Sequence, residues 1–201
     1  MELAPGTKRL ALFGGTFNPV HAGHLLVASF AVEQLELDRL FFLPARVPPH
    51  KHYTPAVPDA VRLRLLAAAT AADPRFGILE LELHREGPSF TIDTVAALRD
   101  EGYAGEIHLL IGEDQLAGLA AWRDSARLFR EVRFLIAPRD HGVGTPPVGD
   151  LPAGVRAAWL DCPRFSVSSS GIRQRLVEGR GIRYLVPEEV RSIIMEEGLY
   201  Q

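Results

Sequence analysis

Four short runs of this 201-residue chain are apolar nearly throughout: Leu10-Ala11-Leu12-Phe13, Leu40-Phe41-Phe42-Leu43, His108-Leu109-Leu110-Ile111 and Phe134-Leu135-Ile136-Ala137. A strand with one wet face alternates apolar and polar residues, because successive side chains point to opposite sides. Runs without that alternation are buried on both faces, which requires helices above and below a parallel sheet. Helical patterns fall between them, at 25–37, 59–72, 91–101, 170–178 and 187–197. Thr91 is expected to cap the third of these, and Pro187 suits the first position of the last, where its missing N–H costs nothing. Residues 78–84 do alternate, Leu79, Leu81 and Leu83 against Glu80, Glu82 and His84, and predict a strand near a sheet edge. The expected architecture is α/β: a doubly wound parallel sheet with a small C-terminal helical region. Proline-rich 45–58 and Gly/Pro-rich 139–154 read as loops, and 1–201 as a single domain.

Composition narrows the classes of function. Net charge is −3, so no global positive field exists to hold nucleic acid by counterion release. Cys162 is the sole cysteine, which excludes an internal disulfide and a cysteine-based metal cluster and is consistent with a reducing compartment. The apolar stretch near the start spans only Leu10 to Phe13, too short for a signal segment, and no stretch is long enough for a membrane span. The expectation is a cytoplasmic protein without nucleic-acid or membrane partners. Its oligomeric state stays open, a homodimer included.

The strongest chemical signal is Gly14-Gly15-Thr16-Phe17-Asn18-Pro19-Val20-His21-Ala22-Gly23-His24, leaving an apolar strand and entering a helix. Two glycines at a strand end are expected to turn the backbone sharply and let phosphate oxygens approach. His21 and His24, three apart, share one side of the first helical turn, where the dipole and open N–H groups favour an anion. The pattern is neither the dinucleotide fingerprint G-x-G-x-x-G nor a Walker loop, and H-E-x-x-H is absent. A second signal is Ser166-Val167-Ser168-Ser169-Ser170-Gly171-Ile172-Arg173. Clustered hydroxyls cap a helix and can donate to phosphate, and a guanidinium one turn later can fork onto it.

Together the Gly-Gly turn with H-x-G-H and the Ser-Ser-Ser-x-x-Arg motif resemble the nucleotidyltransferase superfamily, whose sheet is Rossmann-like. The segments PARVPPHK (44–51), SFTIDTVAAL (89–98), IGEDQLAGLAAW (111–122) and IRYLVPEEV (182–190) are similar to bacterial nicotinate-mononucleotide adenylyltransferases. The resemblance covers nearly the whole chain. It implies transfer of the adenylyl group of ATP to nicotinate mononucleotide, with Mg2+ bound through the ATP phosphates and no protein metal site. It implies that His21 and His24 contact those phosphates, with Ser168, Ser169 and Arg173 opposite, and that Gly14, Gly15, Thr16 and Phe17 line the nucleotide. Gly112 and Asp114 then approach ribose and adenine. Thr91 and Trp122 form the pyridine site, with N–H groups near Thr91 and Arg123 receiving the carboxylate, and Lys51 lies in a loop over the substrate phosphate. His21, His24 and Arg173 are the implied catalytic set. Two residues depart from the family pattern: Asn18 stands where aspartate is common, and Arg123 where an aromatic residue is common.

Overall fold

The computed structural model describes residues 6–47, 57–138, 151–164 and 166–201. Six strands form one sheet: β1 (Arg9–Gly15), β2 (Arg39–Pro44), β3 (Phe76–Ile78), β4 (Glu106–Gly112), β5 (Val132–Ala137) and β6 (Ala157–Trp159). Their spatial order is β3-β2-β1-β4-β5-β6, and every neighbouring pair is parallel. The helices are α1 (Ala22–Gln34), α2 (Asp59–Thr70), α3 (Thr91–Asp100), α4 (Ser125–Glu131), α5 (Ser169–Val177) and α6 (Glu188–Glu196), with a 3-10 helix at Glu113–Ala121.

The uninterrupted apolar runs have the predicted cause. Within β1, Leu10 and Leu12 join a core with Ile92, Val95 and Leu98 of α3 and Leu128 and Phe129 of α4. Ala11, between them, faces the other core with Ala28, Ala31 and Val32 of α1, Leu65 and Leu66 of α2, and Ile172 and Val190 of α5 and α6. β1, β2, β4 and β5 thus each feed two hydrophobic layers, and each fully buried Leu or Phe contributes roughly 1.5–3 kcal/mol relative to exposure. The C-terminal helices belong to the second layer, so the end of the chain completes the covering of the sheet.

Four local expectations need correction. Residues 79–84 are not a strand. β3 stops at Ile78, and the chain then turns, with the N–H of Leu83 and of His84 donating to the carbonyl of Glu80 at 2.9 and 3.3 Å. Glu82, predicted to face water, is buried. Thr91 does not cap α3, since Phe90 holds the cap position without a side-chain bond. Pro187 is likewise one residue outside α6, at its cap. α1 begins at Ala22 rather than 25, because His21 already serves as its cap residue. β6, α4 and the 3-10 helix had no distinct sequence signal: three residues, seven residues and a Gly-containing segment are too short to establish a period.

Candidate active site

In an open parallel sheet, a crevice forms where successive connections leave in opposite directions. Here that point lies between β1, which leads outward to β2 and β3, and β4, which leads to β5 and β6. A cavity of about 1040 Å³ opens there, with Gly14 and Gly15 at the end of β1 and Gly112 at the end of β4 on its walls. Every predicted site residue among the described ones lines it; Lys51 lies outside the described residues.

At one end, the segment 16–19 links β1 to α1 and is held from three sides. Arg62 of α2, fully buried, donates NH1 to the carbonyl of Thr16 at 2.7 Å and NH2 to Asp59 at 2.6 Å. Arg173 NH1 donates to the carbonyl of Asn18 at 2.7 Å, and Ser169 Oγ to that of Pro19 at 2.8 Å. The start of α5 is therefore bonded directly to the approach to α1, although 150 residues separate Ser169 from Pro19. Ser168 caps α5, accepting the N–H of Gly171 at 3.1 Å, which satisfies one of the four N–H groups a helix start leaves open.

The glycines act differently from the expectation. Neither Gly14 nor Gly15 has positive φ; the left-handed residue is Phe17, at 47°. The missing side chain of Gly15 is occupied by Phe17 itself, whose Cζ lies 2.8 Å from where a Cβ would be. Gly14 has open space at that point, so a ligand can approach the backbone there. The His21 ring packs closely on Gly23: a Cβ there would meet its Nδ1 at 3.2 Å and Cε1 at 3.3 Å. His21 and His24 stack with ring centroids 3.6 Å apart, and the backbone N–H of His21 donates to His24 Nδ1 at 3.2 Å. With Nδ1 accepting, a neutral His24 ring carries its proton on Nε2, where it is a donor. Asn18 was not among the predicted site residues. It is buried on the cleft wall, and neither carboxamide atom has a hydrogen-bond partner among the described residues.

The other end is made by α3 and the segments around it. Thr91 begins α3, Trp122 ends the 3-10 helix, and Trp122 packs against the α3 core while also lining the cavity. Asp114 lies in the first turn of that 3-10 helix and is exposed. The Arg123 guanidinium sits over the Phe90 ring at 4.6 Å and 3.5 Å from an Asp93 oxygen. Sequence reasoning missed Glu82, Ser89 and Phe90, all on the wall. Glu82 is 4% exposed; burial pushes its carboxyl pKa up, opposed by hydrogen bonds from Thr94 and Ser89 and by the Arg85 charge. The alternation of 78–84 hid it, although the cluster of Arg85, Ser89 and Thr94 just downstream was a usable sign of polar partners.

Among the described residues no group of three or more His, Cys, Asp or Glu side chains is arranged to hold a metal ion, and no helix is long and apolar enough to cross a membrane.

An anion-directed cleft at the switch point of a parallel sheet defines a nucleotide-handling α/β protein, and residues 12–175 match the cytidylyltransferase-like family. A protein of Exiguobacterium sibiricum named "Probable nicotinate-nucleotide adenylyltransferase" is 43% identical over 96% of this chain and 98% of its own length. One of the same name from Geobacillus kaustophilus is 42% identical over 96% and 86%. The fold matches Plasmodium falciparum nicotinic acid mononucleotide adenylyltransferase complexed with NaAD, with a TM-score of 0.79, 17% identity and coverage of 96% and 97%. The chain belongs to the cytidylyltransferase-like family and, within it, to the nicotinate-nucleotide adenylyltransferases.

Proposed function

We propose that the chain, acting as one nucleotidyltransferase domain over 1–201, transfers the adenylyl group of ATP to nicotinate mononucleotide. The products are nicotinate adenine dinucleotide and pyrophosphate, a step of NAD biosynthesis. The observation that supports this most is the bonding of Ser169 and Arg173 to the carbonyls of Pro19 and Asn18, which brings both phosphate-type motifs to one cleft.

The reaction is an in-line displacement. A 5′-phosphate oxygen of the mononucleotide forms a bond to the α-phosphorus of ATP as the bond to the bridging oxygen breaks, and the electron pair leaves on pyrophosphate. The second pKa of a phosphate monoester is about 6, so the nucleophile is largely dianionic at neutral pH and needs no strong base. The protein's work is to align two anions and stabilise charge as it moves to the leaving group. His24 Nε2, His21 and the rest of the Arg173 fork are the donors assigned to that task, together with the hydroxyls of Ser168 and Ser169. Gly14, Gly15, Thr16 and Phe17 are assigned to the nucleotide wall, and Gly112 and Asp114 to its ribose and adenine. Thr91, Trp122 and Arg123 are assigned to the pyridine, and Lys51 to the mononucleotide phosphate.

A magnesium ion fits this site as a passenger on the phosphates. Mg2+ prefers phosphate oxygens and water with few carboxylates, and the cleft offers phosphate donors rather than a cage of acids; when bound it neutralises phosphate charge. His21, His24, Ser169 and Arg173 would hold it indirectly, through the phosphates. The same reading puts the reaction in the cytoplasm, in keeping with Cys162 as the sole cysteine.

The test is incubation with ATP, Mg2+ and either nicotinate, nicotinamide or phosphopantetheine substrate, with chromatography of the products. Nicotinate adenine dinucleotide and pyrophosphate are expected. A kcat/KM ratio near one for the acid and amide mononucleotides would refute the substrate assignment.

A further inference from the structure

The buried acid at the pyridine end of the cleft has no part in the scheme above, yet it joins three segments of the chain. Glu82 accepts a hydrogen bond from Thr94 Oγ1 at 3.2 Å, in the first turn of α3, and another from the Ser89 hydroxyl. Ser89 Oγ accepts the backbone N–H of Arg46 at 3.2 Å, and the backbone N–H of Ser89 donates to the carbonyl of Val47 at 3.0 Å. Arg85 closes the ring, its NH1 lying 3.4 Å from Thr94 Oγ1 while its carbonyl accepts from Arg46 NH1 at 3.4 Å. Glu82, Ser89 and Thr94 are 4%, 6% and 0% exposed, so a polar group left without its partner here carries a desolvation cost. A desolvated carboxylate with few partners is costly, and a hydrophobic residue at 82 would fill the space between Leu81 and Leu83 without that cost. The acid's position on the cleft wall, beside Ser89, Phe90 and Thr91, gives it a use.

We propose that Glu82 is a positioning residue of the mononucleotide site: through Ser89 and Thr94 it fixes the exit of β2 against the start of α3, and so sets where the Phe90–Thr91 backbone meets the pyridine substituent. This rests on the assignment of nicotinate mononucleotide to that end of the cleft. A carboxylate accepts from both hydroxyls at once. A carboxamide keeps one accepting oxygen and presents an N–H donor in place of the other, so one of the two hydroxyls loses the acceptor for its proton. Glu82→Gln therefore keeps the shape and breaks the register of one segment.

Steady-state kinetics of Glu82→Gln and Ser89→Ala, each checked for an intact thermal transition, test the proposal. The KM for nicotinate mononucleotide is expected to rise by about tenfold in both, since small displacements of a binding group carry penalties of this order or larger. The KM for ATP, bound at the far end, should stay within about twofold. Parallel rises in both KM values, or no change in either variant, overturn the positioning role. Failure of the unaltered chain to form the dinucleotide overturns the substrate assignment and this proposal with it, which separates the two cases.

Discussion

The two ends of the cleft are built on different plans. The end proposed for the phosphates is a backbone construction: carbonyls of Thr16, Asn18 and Pro19 accept from Arg62, Arg173 and Ser169, and the start of α5 is bonded to the approach to α1. The end proposed for the pyridine is a side-chain construction, in which Glu82 gathers two hydroxyls and Arg123 rests between Phe90 and Asp93. Phosphate is the same in every nucleotide, so groups tied to the backbone suit it. A substituent that differs between substrates by one atom type is better read by groups whose positions depend on their own neighbours. On the proposed site assignment, rigidity and selectivity fall at opposite ends of a single cavity.

That contrast can be broken most directly at the phosphate end. His24→Ala should lower kcat by about two to four orders of magnitude, with a small change in the KM for ATP, as expected when a transition-state donor is removed. Rates at saturating ATP check this, and near-normal turnover would remove the histidine from the chemistry. Arg62→Met should next cost about 2 kcal/mol of folding stability, because the carbonyl of Thr16 loses its buried donor, while Asp59, partly exposed, can be rehydrated. Denaturant midpoints measure it; an unchanged midpoint would mean that the 16–19 segment holds itself.

Smaller effects belong to the pyridine end. Arg123 and Asp93 are 57% and 35% exposed, so their pairing is worth little in solution. Arg123→Ala is expected to reduce the preference for the acid over the amide mononucleotide by about three- to fivefold, a loss of roughly 1 kcal/mol or less of charge attraction to the carboxylate. Equal kcat/KM ratios in variant and parent would show that only the backbone reads the carboxylate. The smallest effect is a trend with pH. Burial raises the Glu82 pKa above its ordinary 4.5. A raised acid pKa gives stability that is full below the unfolded value and is lost as pH climbs through the folded one. The melting temperature of Glu82→Gln, relative to the parent, should therefore move in the variant's favour as pH rises above the ordinary carboxyl value of 4.5. A constant difference would mean that the acid does not change its charge on burial.

Legibility followed the same division. β1, β2, β4 and β5 were readable because each is apolar on both faces, a local property of four consecutive residues. His21, His24, Ser169 and Arg173 were readable because each motif sits within eleven residues or fewer of sequence. Glu82 was not, since its partners Ser89 and Thr94 give it a buried environment that an alternating Leu-Glu pattern does not reveal. Nor was the role of Gly15, whose empty side is filled by a ring two residues on through a left-handed Phe17.

Sequence by itself determined the layering of this protein and the chemical character of both phosphate-type motifs, because periodicity and residue type act over a few neighbours along the chain. Tertiary structure alone decided that the motifs meet, which glycine stands open to a ligand and which acid is taken out of water. Those outcomes depend on distances between residues far apart in sequence, and only the packing of the sheet between its two hydrophobic layers sets them.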